Sequence, residues 1–219
     1  MWGDFMYNLK PEIFDFKSVQ GFSIKQLEEH YKLYTGYVAK LNEIWNIPFS
    51  TKDYQDSNPT FSKMRSIKLG ETYSLDGFKL HNMYFENMTG GNKVPYGPLL
   101  NAISTQFTSF DNFISYFTDV GLSMRGWAIV AIDSIDNKFH VIGSDSHDKG
   151  AVWQCYPIIV LDVYEHAYFI DFGTDRKKYI NTFFHNLNWD ILNMRFKNYL
   201  SLLDTTRFRI INKCPFKFL

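Results

Sequence analysis

Residues 162–168 read Asp-Val-Tyr-Glu-His-Ala-Tyr, and they follow an apolar, β-rich run, Pro157-Ile158-Ile159-Val160-Leu161. A strand there would present the carboxylate of Asp162 and, four residues on, the imidazole of His166. Together they are a good start on a metal site. Glu165 stands beside His166, and a buried acid needs a reason, because an unpaired buried charge is costly. The chain has six histidines: His30, His81, His140, His147, His166 and His185. His185 lies beside Phe183 and Phe184 and His140 falls inside a strand; both read as structural or exposed, the usual fate of a lone histidine. His30 and His81 sit mid-helix near aromatic neighbours, where a buried imidazole needs a partner. If those helices pair, His30, His81, Asp162 and His166 form a set of three imidazoles and one carboxylate. Manganese and iron accept such mixed nitrogen and oxygen donors.

Two kinds of element must carry these residues, because the chain changes period about halfway. Ser23 with Gln26 fits a capping box. From there Leu27, Tyr31, Tyr34, Val38, Leu41 and Trp45 recur every three or four residues and predict a long amphipathic helix. Residues 46–65, with Pro48 and Pro59, read as an irregular connection. A second helix is expected from about Ser74 or Asp76 to Met88, stopped by Gly90-Gly91. The two suggest an antiparallel hairpin. Residues 92–98 read as a linker, followed by short helices near 98–107 and 109–120. Strands are expected at Trp127–Ile132, Lys138–Ile142 and 157–162, the first two joined by the polar turn Asp133–Asn137. Helical patterning returns at about 175–200, and the basic, aromatic stretch 204–219 is left unassigned.

Composition narrows the function classes. A chain of 219 residues with 45% hydrophobic and 18% aromatic content is a folded protein with a full core. Lys plus Arg and Asp plus Glu balance at 23 each, which argues against nucleic acid or an anionic membrane as the main partner. Two cysteines, Cys155 and Cys214, do not make a secreted disulfide scaffold and point to a reducing compartment. Met1-Trp2-Gly3-Asp4-Phe5 lacks a signal-peptide pattern, so a cytoplasmic location is expected. No apolar run approaches the ~20 residues that span a bilayer.

Several ordered motifs resemble those of the iron/manganese superoxide dismutase family, over about residues 8–200. Asp162–Tyr168 is similar to its C-terminal signature D-x-W-E-H-A-Y. Leu80–Phe85 with Gly90-Gly91 resembles its second-helix ligand motif and turn. Gly126-Trp127-Ala128 resembles its G-W-x-W strand, Ser144–Asp148 its outer-sphere loop and Asn188-Trp189-Asp190 its N-W-E helix. The resemblance implies an α+β fold: an N-terminal helical hairpin, residues 1–92, and a C-terminal α/β part with a three-stranded antiparallel sheet, residues 93–219. One iron or manganese ion per subunit would lie between them, held by His30, His81, Asp162 and His166 and by a solvent molecule. Tyr37 matches the tyrosine that guards the substrate path, and His147 the residue that touches the bound solvent. Trp127 would wall the cavity and Arg176 would sit by the entrance. Glu165 would reach across a homodimer to His166 of the partner subunit. The implied activity is disproportionation of superoxide to dioxygen and hydrogen peroxide.

The departures are specific. Tyr164 replaces the signature tryptophan. His30 and Tyr37 are seven residues apart where the family pattern has eight; a rigid alignment would put Glu29 at the ligand position, but seven residues keep both side chains on one helix face. Leu33 and Phe169 stand where many dimeric members pair a histidine with the partner's tyrosine. Gly77 stands where iron-type members often carry glutamine, which leaves His147 for the outer-sphere role. Two other readings compete. A metal-free interaction subunit should have lost ligands, and none is missing. A non-haem iron oxygenase using two histidines and a carboxylate would leave one histidine idle.

Overall fold

The computed structural model describes residues 7–48 and 54–213, with side chains through residue 203. Cys214, Met1–Phe5 and part of the 46–65 connection lie outside the described residues. Helix α1 spans Ile24–Trp45, and the Ser23 hydroxyl accepts from the Gln26 backbone N–H at 3.0 Å. Only half of the capping box forms. The Gln26 amide instead donates to the His166 carbonyl (2.7 Å) and accepts from the Ile170 N–H (3.0 Å), while the Ser23 N–H donates to Asp171. A residue read as a local cap is thus a tie from α1 to the Asp162–His166 segment.

Helix α2 spans Lys63–Met88, a correction to the start expected at Ser74 or Asp76. Ser62 provides the true cap, accepting from the Arg65 N–H at 3.2 Å. Gly70 interrupts the apolar pattern on the added turns, which is why they do not read as helix. Cross-links Trp45–Glu71 (3.0 Å) and Tyr34–Asn82 (2.8 Å) run in opposite senses along the two helices, so α1 and α2 are antiparallel. Gly90 and Gly91 both take left-handed φ, +61° and +65°, and end α2 as read.

Helices α3 (Gly97–Gln106) and α4 (Phe110–Ser123) lead into the sheet. Strands β1 (Trp127–Asp133), β2 (Phe139–Ser144) and β3 (Cys155–Asp162) form an antiparallel sheet in the order β2-β1-β3. Pro157 is tolerated because β3 is an edge strand, and the β1–β3 register shifts beside it. Every residue of β1 from Trp127 to Ile132 is buried, as befits a central strand covered on both faces. A 3-10 turn follows at Glu165–Ala167, then α5 (Phe169–Phe172), α6 (Arg176–His185) and α7 (Trp189–Lys213). The stretch left unassigned from residue 204 continues α7 to Lys213. The fold class is α+β, as expected.

The register fixes where the site can be. Trp127, first in β1, stands opposite Asp162 on one side and Ser144 on the other. The start of β1, the end of β3 and the loop after β2 therefore meet at one end of the sheet. There α2 crosses β3, tied by the Asn87 amide to the Val160 carbonyl (2.8 Å).

Candidate metal centre

Four donor atoms of His30, His81, Asp162 and His166 lie within 4.8 Å of one another. His30 comes from α1, His81 from α2, Asp162 from the last residue of β3 and His166 from the 3-10 turn. The three imidazole Nε2 atoms converge on a single oxygen, Asp162 Oδ2, at 3.1, 3.5 and 3.2 Å for His30, His81 and His166. The other oxygen, Oδ1, accepts the Tyr164 N–H at 2.9 Å. His30, His81 and Asp162 are all at most 1% exposed.

Hydrogen-bond bookkeeping tests whether a cation fits. His81 Nδ1 lies 2.6 Å from the Gly77 carbonyl, which can only accept, so Nδ1 carries the proton and Nε2 a bare lone pair. That lone pair is buried, has no hydrogen-bond partner among the described residues and faces a carboxylate oxygen. An acceptor aimed at an acceptor in a dry interior is unfavourable unless a cation lies between them. The backbone carbonyl behind His81 is the outer support usual for a metal-binding imidazole. Three nitrogens and one anionic oxygen suit iron or manganese. No histidine is left over, as an oxygenase triad would require.

Titration behaviour agrees with this geometry. Burial pushes the His30 imidazole below its ordinary pKa and the His81 imidazole well below, so both favour the neutral, ligating form. Burial alone would lower His166 and raise Asp162. The attraction between those two groups overcomes it, and His166 is raised while Asp162 is held well below the carboxylate range.

The remaining expected residues occupy one side of the cluster or its surroundings. The Trp127 indole is fully buried, 5.0 Å from the His81 ring, and its N–H donates to His147 Nδ1 at 2.9 Å. His147 Nε2 meets the Tyr37 hydroxyl at 2.7 Å. Both nitrogens of His147 are thus engaged, so a bond from its N–H to a further solvent ligand must be shared with Tyr37. Burial lowers His147 to about 4. Tyr164 stacks on His166 at 5.1 Å and keeps an aromatic wall where the signature has tryptophan. Glu165 is exposed and makes no side-chain hydrogen bond among the described residues. Arg176 donates to the Tyr168 hydroxyl (3.0 Å) and the Met124 carbonyl (2.8 Å) and touches none of the four donors. His140 and His185 are exposed, bonded to Asp136 and to the Asn181 carbonyl, in line with their bland reading.

Sequence reading missed several supports. Tyr73 packs on His147 with ring centres 4.6 Å apart, and Tyr179 donates to the Asp162 carbonyl at 2.6 Å. The available signal for Tyr73 was its spacing: Tyr73, Gly77 and His81 are four apart and share a helix face.

Comparison with known proteins gives concordant results. Residues 95–195 match the family described as iron/manganese superoxide dismutases, C-terminal domain. The chain is 33% identical over 205 residues to "Superoxide dismutase [Fe]" of Aquifex pyrophilus, covering 91% of this chain and 93% of that protein. It is 29% identical over 194 residues to "Superoxide dismutase [Mn] 1" of Halobacterium salinarum, covering 87% and 95%. Against "Superoxide dismutase [Fe]" of Saccharolobus solfataricus it is 32% identical over 144 residues, covering 63% and 68%.

Proposed function

Because the chain belongs to the iron/manganese superoxide dismutase family, and so disproportionates superoxide with one iron or manganese ion, we propose that His30, His81, Asp162 and His166 are its protein ligands. The observation that carries this reading is the orphaned lone pair of His81 aimed at Asp162 Oδ2. We read residues 1–92 and 93–219 as two parts, each giving two ligands.

Electron exchange with successive superoxide anions is the chemistry the ion supplies when bound. The chain supplies the rest. Asp162 brings a negative charge that favours the higher oxidation state. The Tyr164 N–H on Oδ1 orients that carboxylate, and the Tyr179 hydroxyl holds the Asp162 backbone through its carbonyl. Trp127 and Tyr164 wall off bulk water, which strengthens every charge interaction inside. Two protons are needed for each peroxide released, and Tyr37 and His147 are the hydrogen-bonded pair beside the cluster that can pass them. Burial raises the Tyr37 phenol, so it stays protonated as a donor. Net charge is zero, so attraction of the anion must be local, and Arg176 is the cation proposed for it.

The partner surface is proposed from what His166 lacks. Its side chain is 31% exposed and, among the described residues, bonds only to Asp162. In a two-fold homodimer, Glu165 of each subunit would meet His166 of the partner subunit, satisfying both at once. Exposed Phe169 and Ile170 adjoin this edge. Sedimentation of Glu165→Ala at low concentration should show monomer where the parent chain shows dimer. No helix among the described residues is long and apolar enough to cross a membrane, and Cys155 is a free thiol. Both are compatible with the cytoplasmic location we propose.

The deciding experiment is reconstitution with iron alone and manganese alone, with metal content and superoxide disproportionation measured on each. Asp162→Asn and His81→Ala should lose both metal and activity. Full metal retention in both variants would sink the ligand assignment.

A further inference from the structure

Gln26 is fully buried, and both ends of its amide are spent on one short segment. Its Nε2 donates to the His166 carbonyl at 2.7 Å, and its Oε1 accepts the Ile170 N–H at 3.0 Å. Those two backbone groups are four residues apart. In a continuous α-helix the second would donate directly to the first. The chain does not run on as one helix here. The 3-10 turn Glu165–Ala167 gives way to α5 at Tyr168, whose backbone (φ −146°, ψ −14°) leaves the helical region. The Gln26 amide occupies the place of the missing bond, and a side chain inserted in this way holds a break open.

The break carries His166, the least buried of the four donors. Its turn has no side-chain cap, and a 3-10 turn of three residues has poor hydrogen-bond geometry of its own. The aim of the imidazole therefore depends on contacts from outside the turn, and α1 supplies them. Gln26 lies one turn before His30 on the same helix face. The Ser23 N–H adds a bond to Asp171 Oδ2 at 2.6 Å, so the start of α1 grips both sides of the break. We propose that Gln26 is a positioning residue for the metal centre: by holding the His166 carbonyl apart from the Ile170 N–H, it keeps the turn from relaxing into α5 and fixes the His166 imidazole beside Asp162. Without the amide, a part-buried carbonyl and a part-buried N–H lose their partners. Their nearest remedy is a direct bond, and that closure turns residue 166 about the helix axis and carries Nε2 away from the other donors. This inference rests on His166 being a metal ligand.

The test uses the full chain loaded with manganese and reads the electron paramagnetic resonance spectrum of bound Mn(II) and its release to excess EDTA, neither of which needs turnover. Gln26→Met, similar in length and without the amide, should release manganese about ten- to a hundredfold faster than the parent chain. Its spectrum should change, because the splitting follows ligand geometry. Gln26→Asn, which keeps the amide but is one methylene short, should do the same and serves where Gln26→Met does not fold. Asn193→Leu is the control. Asn193 bridges the Tyr96 carbonyl (3.0 Å) and the Leu99 N–H (3.1 Å) with the same kind of amide clamp and touches none of the four donors. It should lower the melting temperature and leave the manganese spectrum as in the parent. A parent-like spectrum and release rate in a folded Gln26 variant, or the same spectral change in Asn193→Leu, overturns the proposal. His166→Ala separates it from the ligand assignment: a parent-like spectrum there overturns that assignment, whereas a changed spectrum there beside parent-like Gln26 variants overturns only the role of Gln26.

Discussion

A Cβ at residue 77 would lie 3.0–3.1 Å from three carbons of the Tyr37 ring. Gly77 is therefore what lets Tyr37 lie flat against α2 and reach His147. Gly77→Ala should gain about 1 kcal/mol of helix propensity and lose about 1–3 kcal/mol to crowding. Stability should then fall by up to about 2 kcal/mol, while a shifted Tyr37 lowers activity roughly tenfold; urea unfolding and an activity assay on one preparation check both. His147 gives a second prediction. Its folded pKa is lowered to about 4 from the ordinary 6.5, so between those values the unfolded chain binds more protons. The stability of the metal-free protein should fall as pH drops from about 6.5 to about 4, and His147→Gln should flatten part of that slope in thermal melts. At this scale much of the site was legible. Asp162 and His166 stand four apart after a strand, and His30 and His81 sit where helices leave imidazoles without partners. Tyr73 was only half legible: its spacing from Gly77 and His81 places it on the helix face of the site, but its packing on His147 joins residues far apart in the chain.

Helix α2 carries Tyr73, Gly77, His81, Asn82 and Glu86, so its placement decides the site. Arg195 of α7 anchors it. Arg195 is 6% exposed, and its guanidinium donates to Asn87, to Glu86 and to the carbonyls of Met83 and Ile158. One cation thus ties α2 to β3, the elements that present His81 and Asp162. Arg195→Ala takes the cation from Glu86 and a buried donor from the Asn87 side chain and the Ile158 carbonyl. It should cost about 3 kcal/mol in chemical denaturation and lower metal occupancy when refolded beside the parent chain. Strand alternation and the Ser23 and Gly90-Gly91 punctuation made most elements readable. The first turns of α2 were not, because Gly70 breaks their stripe and Ser62 lies within a polar stretch. Arg195 was invisible for a related reason: a basic residue on a helix reads as solvated until the fold shows what surrounds it.

Across the whole molecule, one ion would join α1, α2, the end of β3 and the turn after it. A ligand that binds only the folded state stabilises by mass action, about 4 kcal/mol at a thousandfold excess over Kd. Chelation should therefore lower the melting temperature of the parent chain and leave that of His81→Ala unchanged; equal shifts in both would place the ion elsewhere. The pairing of Trp127 with Asp162 gives this dependence a further meaning. Slipping β3 by one residue against β1 would set Leu161 or Val163 opposite Trp127 and turn Asp162 to the opposite face. Such a chain could be compact and still have only three imidazoles to offer. Metal uptake is then an inspection of strand alignment: chains that retain the ion are those whose sheet has closed in register, and the unloaded fraction of a refolded batch counts those that have not.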